Sequence, residues 1–257
     1  MEDGLDVRLF QMLIRIAMVI STVGYHWEEV YGAYDEFRQA GCEMAFFTVD
    51  GKEPKADPWS LKITGPFSGA GFGISRSMVP ETPLGQEIQT KFASVKAVSE
   101  LNADQIDALY LPGGHGCLFD VNRNPQLHEV IGRLYRGGKA LSGVCHATST
   151  FAFVRENGRS IVEGKKLTGF PEIVDRVIPL LGLVDQTFLP IPFSNDAALQ
   201  ESGADLKWFH QLRALLDARY CRVDWPFVTG MGPKAARPVA RLVMHSIHMR
   251  RKTLDHV

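Results

Sequence analysis

Residues 140–147 read Ala-Leu-Ser-Gly-Val-Cys-His-Ala, an apolar run that ends in a cysteine with a histidine beside it. Small and helix-compatible residues follow, from Ala147 to Val154. A strand, a sharp turn and a helix in that order build a nucleophile elbow, which presents a reactive side chain at the bend. Cys145 is therefore the candidate nucleophile. A sulfur at a helix start gains thiolate character from the helix dipole, and a protonated His146 adds positive charge next to it. Such a pair performs addition to an electrophilic carbon, with a neighbouring group moving the protons.

A second segment with chemical content is Leu111-Pro112-Gly113-Gly114-His115-Gly116, which follows the apolar run Ala108–Leu111. It is not a phosphate loop, because no Lys-Ser/Thr pair follows the glycines. Gly113, Gly114 and His115 are candidates for the pocket lining, and the backbone N–H groups of Gly114 and His146 for an oxyanion site. His115 is not expected to hold a metal, since no second histidine or acid stands at ligand spacing from it.

The elements that must position these residues can be read from periodicity. Ile14–Ser21 reads as a first strand, and Glu28–Ala40 as a helix closed by Gly41. Glu43–Val49 is a second strand and Ala108–Leu111 a third. Gln86–Val95 is a candidate helix. Asn124 caps a helix through Leu134 that Gly137-Gly138 ends, and Leu141–Cys145 is a fourth strand. Further on, Lys166–Gly169 reads as a short strand, and Pro171–Ile178, Ala197–Ser202 and Leu206–Leu216 as helices. Arg222–Val228 reads as a strand, and Pro233–His248 as a last helix ending in the basic run 249–252. This order predicts an α/β three-layer sandwich: a mostly parallel, flavodoxin-like sheet with helices on both faces and a nucleophile elbow. Ligands of such sheets bind beyond the carboxyl ends of strands, where both Cys145 and the His115 loop fall.

The 257 residues, 45% hydrophobic and 22% charged, suit a sizeable core, read as one domain over 1–257 with excursions near 52–95 and 183–225. A net charge of −1 gives no electrostatic case for nucleic acid or an anionic membrane. Met12–Ile20 is interrupted by Arg15, is too short to span a bilayer, and carries no cleavage site. Cys42, Cys117, Cys145 and Cys221 are scattered without a CxxC, which fits reduced thiols in a cytoplasm. Cys42, Cys117 and Cys221 read as core or near-core thiols, with Cys117 placed to respond to oxidants. His245 and His248 read as surface or interface residues. Tyr25, His26 and Trp27, just ahead of Glu29, are candidates to wall the site, with packing at the helix entry as the commoner role of such residues.

In order along the chain, these segments resemble the ThiJ/PfpI superfamily, the class I glutamine amidotransferase-like fold. The likeness rests on Glu29 in a first helix ending Phe37-Arg38-Gln39-Ala40-Gly41, on Leu111–Gly116, and on Gly143-Val144-Cys145-His146. Supporting matches are Asp57-Pro58-Trp59-Ser60-Leu61, Thr168-Gly169-Phe170-Pro171 and Thr229-Gly230. Within the superfamily the chain is most similar to the glyoxalase III branch, whose members are also described as heat-shock chaperones.

The resemblance implies a Cys-dependent conversion of a 2-oxoaldehyde such as methylglyoxal to a 2-hydroxy acid, without glutathione, metal or other cofactor. It also implies a homodimer. Cys145 matches the family nucleophile, His146 its neighbouring histidine, and Glu29 the glutamate of the first helix. Asp175 matches the acid that orients the histidine in some members; without the resemblance it reads equally as a surface acid. Spacing alone does not choose between Glu28 and Glu29; the resemblance picks Glu29 and leaves Glu28 as the solvated one. Ala147-Thr148 replaces the family's usual Gly-Pro after Cys-His. A stress-response chaperone, a redox-sensing Cys protein and an isonitrile hydratase-like enzyme remain alternatives.

Overall fold

In the computed structural model, which describes residues 13–63, 74–206, 213 and 216–254, the apolar runs form the strands of one sheet. β1 (Arg15–Ile20), β4 (Ala108–Leu111) and β5 (Ala140–Val144) are buried at every residue except Arg15, the pattern of strands covered on both faces. β2 (Glu43–Thr48) and the two-residue β3 (Lys96–Ala97) lie on one side of β1. β8 (Cys221–Asp224) and β9 (Phe227–Gly230) complete the order β3-β2-β1-β4-β5-β9-β8. All neighbours pair in parallel except the β8–β9 hairpin.

Strand alternation divides the core into two layers. Ala17 and Val19 join Leu109, Leu141 and Phe151 on one face, covered by α3 (Pro125–Arg136) through Leu127 and Ile131. Ile16, Met18 and Ile20 join Tyr110 and Val144 on the other, covered by α1 (Trp27–Gln39) and the C-terminal helix. Asn124 caps α3 by accepting the Leu127 N–H at 2.9 Å. The expected three-layer α/β architecture is present.

Several local expectations are corrected. Arg222–Val228 is two antiparallel strands turning at Trp225-Pro226, not one. Lys166–Gly169 forms no strand; it is held instead by the Thr168 N–H donating to Thr229 Oγ1 at 2.9 Å. The last helix begins with a 3₁₀ turn at Pro233–Ala235 and continues through the basic run, so the C-terminal helix spans Ala236–Leu254. A small hairpin, β6 (Arg155–Glu156) with β7 (Arg159–Ser160), was not anticipated. Between these lie α2 (Pro83–Phe92), α4 (Glu172–Val177) and α5 (Asn195–Glu201), which makes the C-terminal helix α6. The helix expected over Leu206–Leu216 falls largely outside the described residues.

α1 and α6 are joined by charge as well as by packing. Glu36 accepts from Arg237 at 3.0 Å and from Arg241 at 2.7 Å, and Asp35 accepts from Arg237 at 2.7 Å. Among the described residues, no helix is long and apolar enough to cross a membrane.

Candidate active site

The chain leaves β1 toward β2 on one side and returns to β4 on the other, so the sheet reverses its strand order at β1. Ligand crevices of open α/β sheets lie at the carboxyl ends of the strands at such a reversal. Glu29 arrives there from the first turn of α1, His115 from the loop after β4, and Cys145 from the end of β5.

Cys145 has φ +57°, in the left-handed region that L side chains rarely adopt, as a nucleophile elbow requires. Its carbonyl accepts from Thr148 Oγ1 at 2.9 Å and from the Phe170 N–H at 3.4 Å, which hold the bend. The segment that follows, Cys145–Phe153, is a 3₁₀ helix rather than an α-helix. Cys145 is 3% exposed, and burial together with the neighbouring Glu29 pushes its thiol well above the usual range, against the His146 N–H, which lowers it. Desolvation thus opposes the thiolate that the helix dipole favours.

The sulfur lies 3.3 Å from His146 Nδ1. His146 Nε2 faces Asp175 Oδ1 at 2.9 Å and Oδ2 at 3.1 Å, and Asp175 is buried in α4 rather than at the surface. The carboxylate accepts the Nε2–H, which leaves Nδ1 as the acceptor that faces the thiol. On its other side the sulfur meets Glu29, which is fully buried. Glu29 Oε2 accepts the Gly113 N–H at 2.5 Å. Burial pushes Glu29 up to about 8, against the lowering effects of Gly113 N–H and the Cys145 side chain.

Gly113 therefore positions the acid, and its N–H is not open to an oxyanion. A methyl group at Gly113 would stand 2.7 Å from Cys145 Cβ and 3.0 Å from Glu29 Oε2. Gly114, at φ +110°, presses against Gly24 and His26. Gly114 and His115 line the cavity, whereas Gly113, also expected there, is not among its lining residues. Glu28, expected in solvent, is buried instead and paired with Lys234 of the turn before α6 at 2.8 Å.

Sequence reasoning missed part of the wall. The cavity, about 40 Å³, is bounded by Trp59, Ser60, Phe170, Ile178 and Leu183 together with Cys145, His146 and His115. Among the described residues, no Lys or Arg lines it. Trp59 and Ser60 come from the first excursion, anchored where the Asp57 N–H donates to Tyr25 O at 2.8 Å. Asp57 Oδ2 faces His115 Nδ1 at 3.2 Å, a second His–Asp pair beside the first. The Asp-Pro-Trp-Ser string was visible in the sequence, but nothing in it indicated which histidine it meets. His26 also borders the cavity, whereas Tyr25 and Trp27 pack in the core as expected. Cys117 is fully buried, with its Sγ donating to Pro112 O at 3.3 Å and its thiol pushed well above the usual range, so it is closed to oxidants. A larger hollow, about 450 Å³, is lined by Arg15, Glu43 and Lys96 near the opposite strand ends and holds no cysteine.

Comparison with known proteins gives the family and the fold. A profile of the DJ-1/PfpI family matches residues 15–190, more than half of the chain. The chain is 24% identical over 225 residues to the glutathione-independent glyoxalase HSP31 of Saccharomyces cerevisiae, covering 82% of this chain and 84% of that protein. It is 25% identical over 234 residues to the glutathione-independent glyoxalase hsp3101 of Schizosaccharomyces pombe, covering 90% of each. The crystal structure of glyoxalase III from Candida albicans superposes with a TM-score of 0.64 at 21% identity, over 90% of this chain and 96% of that one, a likeness of fold.

Proposed function

The chain belongs to the DJ-1/PfpI family, and we propose that it is a glutathione-independent glyoxalase that converts a small 2-oxoaldehyde to the 2-hydroxy acid. The observation that carries this reading is Cys145 set between two proton carriers, His146 oriented by Asp175 and the buried acid Glu29.

His146 Nδ1 takes the thiol proton, and the sulfur adds to the aldehyde carbon. Glu29, in its acid form, gives its proton to the aldehyde oxygen, and a hemithioacetal results. The Glu29 carboxylate then removes the hydrogen from that carbon while His146 protonates the neighbouring ketone oxygen, giving an enediol. Glu29 returns its proton to the second carbon, and the first hydroxyl loses its proton to His146 Nδ1. The product is a thioester of the 2-hydroxy acid. Water cleaves it, freeing the acid and restoring the thiol. Oxidation of one carbon balances reduction of the next, so the net change is addition of water. The small cavity, lined among the described residues by aromatic, aliphatic and a few polar side chains but no Lys or Arg, suits a neutral compound of a few heavy atoms.

The test is NMR of purified protein with methylglyoxal and no glutathione. Lactate is expected to form, Cys145→Ala to abolish it and Glu29→Gln to lower kcat by orders of magnitude. Full turnover in Cys145→Ala sinks the mechanism. A second reading, a binding protein for unfolded chains, rests on the exposed Leu180 and Leu181 that follow α4. It wins if methylglyoxal is not consumed while wild type and Cys145→Ala suppress client aggregation equally.

A further inference from the structure

We propose that His115, His146 and Asp175 form an inhibitory site for one divalent transition-metal ion of the zinc class. The binding half of this proposal stands apart from the glyoxalase reading; the inhibitory half rests on the Cys145–His146 pairing. The three donors come from separate segments, the loop after β4, the turn after β5, and α4, which is why ligand spacing in the sequence did not reveal them. One ligand atom from each lies within 4.8 Å of the other two. Asp175 Oδ1 stands 2.9 Å from His146 Nε2 and 4.0 Å from His115 Nε2. Around a tetrahedral zinc ion, with bonds of about 2.0–2.2 Å, neighbouring donors lie about 3.4 Å apart. The separations present, from 2.9 Å to no more than 4.8 Å, bracket that spacing.

A second, independent observation points to a ligand. His115 Nε2 is buried and has no hydrogen-bond partner among the described residues. Buried polar atoms left unpaired are uncommon and call for an explanation. The other ring nitrogen, Nδ1, is held by Asp57 Oδ2 at 3.2 Å. A carboxylate on the far nitrogen fixes the tautomer whose Nε2 lone pair is free, the arrangement that supports metal-ligating histidines generally. Asp57 is itself fixed, since its Oδ1 accepts the Trp59 N–H at 2.9 Å. Two imidazoles and one carboxylate suit zinc-class ions better than magnesium or calcium, which prefer all-oxygen sets.

Inhibition follows from the tautomer. With the ion on Nε2, a neutral His146 must carry its proton on Nδ1. Nδ1 then has no lone pair with which to carry a proton, and the ion stands in the cavity that His115, His146 and Cys145 line together. The ion removes the base without bonding to the nucleophile.

The experiment titrates Zn²⁺ into the full, metal-stripped chain in competition with a chromophoric chelator, with Co²⁺ absorption as a second probe. One ion per chain is expected, with unchanged affinity in Cys145→Ala. His115→Ala is expected to weaken binding at least tenfold. Asp57→Asn, which leaves all three ligands in place, is expected to weaken it by about 10- to 100-fold. Zn²⁺ is expected to slow iodoacetamide alkylation at Cys145, read by mass spectrometry, and EDTA to restore it. Loss of binding in Cys145→Ala would place the ion on the thiol and overturn the proposal, as would wild-type affinity in both His115→Ala and Asp57→Asn. Circular dichroism verifies folding, and the Asp57→Asn arm decides if His115→Ala does not fold. The chelator and alkylation arms need no turnover, so failure of the metal site and failure of the glyoxalase reading are told apart.

Discussion

At residue scale the site depends on how closely Cys145 and Glu29 are brought together, and Gly113 is the residue that permits it. A side chain there meets the Cβ of one and the carboxyl of the other, as well as Val144 O at 2.7 Å. Gly113→Ala is expected to cut kcat/KM by at least a hundredfold while lowering stability by about 1–3 kcal/mol, the usual cost of overpacking. Kinetics and urea denaturation on one preparation check this; a proportionate small loss in both would mean the separation does not matter. Cys145 was legible because strand and elbow are local. Choosing Glu29 over Glu28 needed the family likeness. The burial of Glu28 was not legible, because its partner Lys234 lies 206 positions away. The Asp57–His115 pair was hidden for the same reason, at a separation of 58.

At the scale of elements, the strands buried on both faces were read nearly to their ends because each is a continuous apolar run. The β8–β9 hairpin was not, since its turn is built from the apolar residues Trp225 and Pro226 and masks itself as strand. The elbow helix departs from α geometry for a reason visible in its hydroxyls. Thr148 Oγ1 donates to Cys145 O and Ser149 Oγ to His146 O, each three residues back, which competes with the α-helical ladder. Thr148 thus has a structural role in the bend. α1, which delivers Glu29, is fastened to α6 by Glu36, whose carboxyl receives both Arg237 and Arg241. Glu36→Ala leaves two guanidinium groups without that acceptor. It is expected to lower stability by about 1–3 kcal/mol in urea melts. Arg241→Ala, which removes a mostly exposed side chain, is expected to cost less. Equal effects would argue that the clasp is not centred on Glu36.

At the scale of the whole molecule, the reversal of strand order at β1 gathers Glu29, His115, His146 and Cys145 at the carboxyl ends of the central strands, and the protein bears that arrangement as a pH-dependent cost. Glu29 shifts from an ordinary 4.5 to about 8 on folding, so the native state binds its proton more tightly than the unfolded chain does. Its contribution to stability is complete below about pH 4.5 and is lost as pH rises through about 8. Asp35 and Glu36 work in the opposite sense. Against the raising effect of burial, Gln39 and Arg237 hold Asp35 below its ordinary range, and Arg241 with Arg237 does the same for Glu36, so the contributions of both carboxyls are present at neutral pH and fade on acidification. Glu29→Gln removes the alkaline limb alone, because the amide cannot ionise and its oxygen still accepts the Gly113 N–H. The variant is therefore expected to gain stability over wild type as pH rises from 5 to 8, at up to about 1.4 kcal/mol per pH unit and a few kcal/mol in all. Urea midpoints measured across that range test it. A difference that stays flat with pH would mean Glu29 is already ionised in the native protein. Glu29 then could not deliver the first proton of the reaction, whereas a widening gap accompanied by lost turnover would identify the proton that lowers stability as the one catalysis uses.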